Sequence, residues 1–174
     1  MIVLFAGLPG TGKSTVATEL ARQMDGVVLN KDRVRAALFP APFVEYSTEQ
    51  DDFCIGVLLQ AAGYLLARQP RLAVFIDGRV FSKNYQVVQV RDAVSLLVTT
   101  FRIIECVCSE DTARRRLERD VDAGEHPAKN RDFRLYLRLR EAMEPIPEPK
   151  LVLDTDRRLE ESVREAAAFL AVAR

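Results

Sequence analysis

The chain has 174 residues, with 25 basic side chains balanced by 25 acidic ones, one His, three Cys and no Trp. At 48% hydrophobic residues it can bury a real core, and its length is that of one domain. Zero formal net charge argues against a polyanion coat or membrane-surface protein, and no apolar run reaches the roughly 18–20 residues of a membrane span. The opening run Met1–Ala6 has no basic leader and stops at Gly7, so no secretory signal is expected and the protein reads as cytoplasmic. Cys54, Cys106 and Cys108 suggest neither a disulfide framework nor a zinc site. The basic set holds 20 Arg and five Lys, a bias that suits bidentate phosphate recognition as well as a GC-rich genome.

Short apolar runs alternate with helix-like stretches along the chain. A strand over Ile2–Ala6 leads into a helix over Lys13–Met24, and a strand over Gly26–Leu29 into a helix over Asp32–Leu38. A loop over Phe39–Ser47 precedes a long helix over Thr48–Arg68, whose start is marked by Ser47 or Thr48 and the acids that follow. Strand Leu72–Ile76, helix Asn84–Leu97, strand Thr100–Val107 and helix Asp111–Asp122 come next. The polar stretch Val121–Arg131 is read as a short lid before a helix over Asp132–Ala142. After Pro145–Pro149, a strand over Lys150–Leu153 and a helix over Leu159–Ala171 complete the pattern. Near-continuous apolar strands separated by helices predict one α/β domain, a five-stranded parallel sheet covered on both faces.

Gly7-Leu8-Pro9-Gly10-Thr11-Gly12-Lys13-Ser14 fits G-x-x-x-x-G-K-[ST] between a strand and an amphipathic helix. Such a loop turns sharply and aims backbone N–H groups at a β-phosphate, at the positive end of the helix dipole. The expected phosphate-binding residues are Gly7, Gly10, Thr11, Gly12, Lys13, Ser14 and Thr15. Lys13 reaches the β/γ-phosphates of ATP, and Ser14 ligates Mg²⁺. Leu72–Asp77 is an apolar strand ending in an acid, a second candidate Mg²⁺ ligand at Asp77.

Asn30-Lys31-Asp32-Arg33 differs from the guanine-reading N-K-x-D in its fourth residue and its place after the second strand. With Val34 and Arg35 it resembles instead the D-x-x-R element of polynucleotide 5′-hydroxyl kinase, chloramphenicol phosphotransferase and zeta toxins. The resemblance covers most of the chain and implies a three-layer P-loop kinase fold with a short lid. It implies Asp32 as general base on the acceptor hydroxyl, Arg35 as a ligand of the acceptor or its phosphate, and lid arginines on ATP. The position of Asp32, just past a buried strand, agrees with a base at the carboxyl edge of the sheet. The competing reading makes Asp32 the N-cap of its helix. Asp77-Gly78-Arg79 resembles the D-x-T/N segment of such kinases, except that Arg79 replaces Thr or Asn and becomes a candidate for an anionic acceptor.

In Thr112–Arg119, helical spacing puts Arg115 and Arg119 on one face, as catalytic candidates, and pairs Arg114 with Glu118 in solvent; Arg116 is undecided. Lys129 and Arg131 are candidate phosphate contacts from the lid, and His126 is read as bland. Phe39, Phe43, Glu45 and Tyr46 are candidate walls of the acceptor pocket. The expected function is ATP- and Mg²⁺-dependent transfer of the γ-phosphoryl group to the hydroxyl of a small molecule. A nucleic-acid 5′ end is the alternative acceptor, a nucleoside monophosphate another, and a P-loop ATPase switch without acceptor the rival class. No membrane or protein partner is implied.

Overall fold

The computed structural model describes residues 1–123 and 132–172, with side chains for 1–120 and 132–172. Strands β1 (Ile2–Ala6), β2 (Gly26–Asn30), β3 (Ala73–Asp77), β4 (Phe101–Val107) and β5 (Leu151–Asp154) form one sheet in the order β2-β3-β1-β4-β5. Every pairing is parallel. The helices are α1 (Lys13–Gln23), α2 (Lys31–Leu38), α3 (Thr48–Arg68), α4 (Asn84–Ser95), α5 (Glu110–Ala123), α6 (Phe133–Ala142) and α7 (Leu159–Ala171), with a 3-10 turn at Ala41–Phe43. Among the described residues no helix is long and apolar enough to cross a membrane.

Alternation along the central strand divides the core. Ile2, Leu4 and Ala6 of β1 join Leu58 and Ala62 of α3 and Val87 and Val90 of α4 on one face. Val3 and Phe5 point the other way, onto Val16 and Leu20 of α1 and Val163, Ala166 and Leu170 of α7. All five β1 residues are buried, which is why the strand reads as an unbroken apolar run. A smaller cluster of Ala113, Leu117 and Tyr136 joins α5 to α6.

Three strands end one residue later than the apolar pattern indicates: β2 at Asn30, β3 at Asp77 and β5 at Asp154. Asn30 and Asp77 are register partners. Val121–Ala123, read from the sequence as the start of the lid, continue α5. The rest of that expected lid, with His126, Lys129 and Arg131, lies outside the described residues.

Candidate active site

The carboxyl ends of β1, β2 and β3 open onto a cleft of about 940 Å³. This is where ligands bind in open parallel α/β sheets. Its floor is the loop from Gly7 to Gly12. Gly7 holds φ at +127°, and a Cβ there would sit 2.3 Å from the Cys106 carbonyl oxygen, so only glycine lets the loop pass β4. The loop is cross-braced from within: Thr11 Oγ1 donates to the Leu8 carbonyl (2.8 Å), and Lys13 Nζ donates to those of Gly7 (2.8 Å) and Leu8 (2.7 Å). Lys13 is buried at the start of α1, while Ser14 and Thr15 are exposed and line the cleft.

Asp77 is 1% exposed at the end of β3. Its Oδ2 accepts a hydrogen bond from Asn30 Nδ2 (2.8 Å), whereas Oδ1 is buried with no partner among the described residues. A buried carboxylate oxygen left unpaired is costly unless a donor or cation meets it. Asp77 Oδ1 and the Ser14 hydroxyl therefore fit a magnesium ion, which takes oxygen ligands and keeps to one or two carboxylates when phosphates supply the rest. Among the described residues no group of three or more His, Cys, Asp or Glu is placed to hold a metal by itself.

The N-cap reading of Asp32 is overturned. Asn30 caps α2, its Oδ1 accepting from the amides of Asp32 (3.0 Å) and Arg33 (3.1 Å). Asp32 stands instead inside a buried charge cluster. Its Oδ1 meets Arg35 Nη1 at 2.9 Å and Lys31 Nζ at 3.2 Å. Asp51, from the first turn of α3, takes Lys31 Nζ at 2.7 Å and also Arg35 Nη2. Arg79 reaches Asp52 at 2.5 Å. Burial pushes the Lys31 ammonium down to about 8, opposed by Asp32 and reinforced by the charges of Arg35 and Arg79.

Gly78 makes this cluster possible. It holds φ at +97°, and a Cβ there would come within 3.0 Å of the Lys31 amide nitrogen. The chain leaving β3 thus crosses close to the start of α2, bringing Asp77 and Arg79 to the same wall as Lys31, Asp32 and Arg35. Gly7 N–H then donates to the Val80 carbonyl at 3.2 Å, tying this segment to the phosphate loop.

The lid-side arginines are arranged differently from the helical-wheel expectation. Arg116 is the one that meets the loop: its Nη1 lies 3.3 Å from the Gly10 carbonyl and 3.0 Å from Thr155 Oγ1, and Nη2 donates to the Thr155 carbonyl at 2.7 Å. Arg119 lines the cleft. Arg115 is exposed, bonds Thr112 at 2.9 Å and does not line it. Arg114 pairs with Glu110 and not Glu118, and its guanidinium lies 3.9 Å from the Phe133 ring centre. From the aromatic loop only Tyr46 lines the cleft; Phe39 meets Phe53 edge to face, and Phe43 is exposed. The cysteines are free, and burial pushes the Cys106 thiol up to about 12, which makes it a poor nucleophile.

Sequence reasoning missed Asn30 as the cap, and missed Lys31, Asp51 and Asp52. The two aspartates resemble ordinary first-turn acids of a long helix, and no local signal separates them from such acids.

Against known families, residues 2–145 match the profile of the AAA domain, AAA_33. The chain belongs to this AAA domain family. Its fold is that of solved kinases. The APS kinase CysC of Mycobacterium tuberculosis in complex with AMPPNP and APS superposes with a TM-score of 0.69 at 21% identity, over 98% of this chain and 96% of that one. A gluconokinase from Sinorhizobium meliloti gives 0.68 at 19%, over 98% and 91%. Chaetomium thermophilum Kti12 in complex with ADP-AlF3 gives 0.72 at 17%, over 99% and 98%. A comparison with curated proteins finds no match. These likenesses make the AAA_33 domain here a P-loop kinase-like fold.

Proposed function

We propose that the protein is an ATP- and Mg²⁺-dependent phosphotransferase whose acceptor is a hydroxyl group of a small molecule. The observation that carries this reading is the convergence, on one cleft, of the Lys13 loop, the unpaired oxygen of Asp77 and the Asp32–Arg35 element. The structural neighbours, an APS kinase with AMPPNP and Kti12 with ADP-AlF3 among them, support it at the level of the fold.

The loop amides and Lys13 hold the β- and γ-phosphates, with Lys13 turning from the Gly7 and Leu8 carbonyls to phosphate oxygens. Ser14 and Asp77 would hold a magnesium ion, which would neutralise phosphate charge. Both ion-pair contacts of Asp32 fall on Oδ1, and the residue lines the cleft, so Oδ2 is the oxygen that meets the acceptor. The acceptor hydroxyl attacks the γ-phosphorus and passes its proton to Asp32 Oδ2. The bond from that phosphorus to the bridging oxygen breaks, and ADP leaves with the electron pair. Lys31 and Arg35 fix the orientation of the Asp32 carboxylate through its Oδ1. Arg119, with the loop held in shape by Arg116, stabilises the charge that develops on the transferring group.

The test uses ATP labelled on its γ-phosphate and a pool of hydroxylated metabolites, antibiotics, nucleoside monophosphates and 5′-hydroxyl oligonucleotides. Label in an organic product identifies a kinase and its acceptor; label released only as inorganic phosphate favours an ATPase switch.

A further inference from the structure

The charges on the acceptor side of the cleft are unevenly satisfied. Lys31 and Arg35 are each held by two carboxylates, those of Asp32 and Asp51. Arg79 has one, Asp52, and that residue does not line the cleft. Arg79 Nη1 makes this contact, while Nη2 is buried with no partner among the described residues. The side chain is only 4% exposed, yet it lines the cleft. Its guanidinium also lies 5.6 Å from the ring centre of Phe81, a buried residue whose φ of +57° lies in the left-handed region. Asp52 and Phe81 thus fix a planar donor fork of which one end is answered and the other is not.

Lys31, Arg35 and Arg79 line this wall with Asp32 and Asp51, and Asp52 pairs with Arg79 from outside the cleft. An arginine fork with one unmet, water-shielded donor suits an oxyanion, which accepts a charge-assisted hydrogen bond from it.

We propose that Arg79 is the receptor for an anionic group on the acceptor. The substrate class is then a hydroxyl compound that also carries a phosphate or a carboxylate, and neutral sugars and neutral antibiotics fall outside it. Asp52 is a positioning residue that holds the fork from outside the cleft. This inference rests on the kinase reading above.

The experiment first saturates the phosphate loop with AMPPNP and Mg²⁺, so that added anions report on the rest of the cleft. Inorganic phosphate and, separately, acetate are then titrated calorimetrically into the wild type, Arg79→Gln and Arg79→Lys. Saturable binding to the wild type is expected, weakened about tenfold in Arg79→Gln, the size of one charge-assisted hydrogen bond, with AMPPNP affinity unchanged. Arg79→Lys keeps the charge without the fork and should recover part of the affinity, an outcome that a merely structural role does not produce. The stronger of the two anions identifies the acceptor's group as phosphate or carboxylate. Phosphate and acetate binding that is absent, or equal in all three proteins, overturns the proposal alone. A wild type that does not bind AMPPNP overturns the kinase reading and the proposal with it.

Discussion

Asn30 and Asp77 end neighbouring strands, and a 2.8 Å hydrogen bond from Asn30 Nδ2 to Asp77 Oδ2 joins them. The same Asn30 side chain caps α2 through its oxygen. One amide thus aligns the helix that carries Asp32 and Arg35 with the carboxylate proposed as a metal ligand, and it orients Asp77 so that Oδ1 is the oxygen left over.

Asn30→Ala should therefore cost more than a simple cap. Losing the cap removes about 1 kcal/mol, and losing the bond to buried Asp77 removes about 1 kcal/mol more. Denaturant unfolding should show a lowered midpoint with an unchanged slope. A loss within experimental error would mean that another group caps α2.

Asp77→Asn should raise the Mg²⁺ concentration needed for half-maximal activity by about tenfold or more, as loss of an anionic ligand implies. AMPPNP binding without metal should change little. Equal metal dependence in both proteins would remove Asp77 from the metal site.

Arg116→Ala should weaken nucleotide binding by about tenfold, because the Gly10 and Thr155 carbonyls lose a charged donor and the loop its brace. Arg115→Ala should stay within about twofold, as exposed polar contacts contribute little. Nucleotide titration of the two variants reads this directly. The opposite order would restore the helical-wheel assignment.

Lys31 sets a pH limit. Its ammonium, ordinarily near 10.5, titrates in the folded protein near 8 because it is buried. Below pH 8 it is charged in both the folded and unfolded chains, and the cost of burying that charge is fully present. Between 8 and 10.5 the unfolded chain holds a proton that the folded one has released, so this group's contribution to stability rises with pH. Activity should move the other way, since the neutral amine no longer supports Asp32 and Asp51. The wild type should show an alkaline limb near pH 8 in kcat/KM that Lys31→Met lacks. The same limb in both proteins would assign it to another group.

The sheet and the phosphate loop were legible because they depend on local signals: unbroken apolar runs for strands buried on both faces, and glycines where backbone passes backbone. What escaped depends on fine register and on contacts distant in sequence. Asn30 and Asp32 are both capping residue types, and a shift of two residues in the helix start decides which one caps. Arg116 follows from the rotation of α5, which Ala113 and Leu117 set by burying one face; with that face recognised, Arg116 would have been placed beside the core edge. Asp51 and Asp52 acquire their meaning only when α3 lies against α2 and the turn after β3. Arg79 stood out in the sequence as a departure from the resembling kinases, but its unpaired nitrogen is a tertiary fact.

Whether Asp32 takes the acceptor's proton is tested by mass spectrometry of the acceptor pool after incubation with ATP and Mg²⁺, run beside Asp32→Asn. The wild type should give a product heavier by one phosphoryl group, formed about 10²–10⁴-fold more slowly by the variant, at unaltered AMPPNP affinity. Equal ATP hydrolysis by both proteins, with no phosphorylated acceptor, would contradict that role.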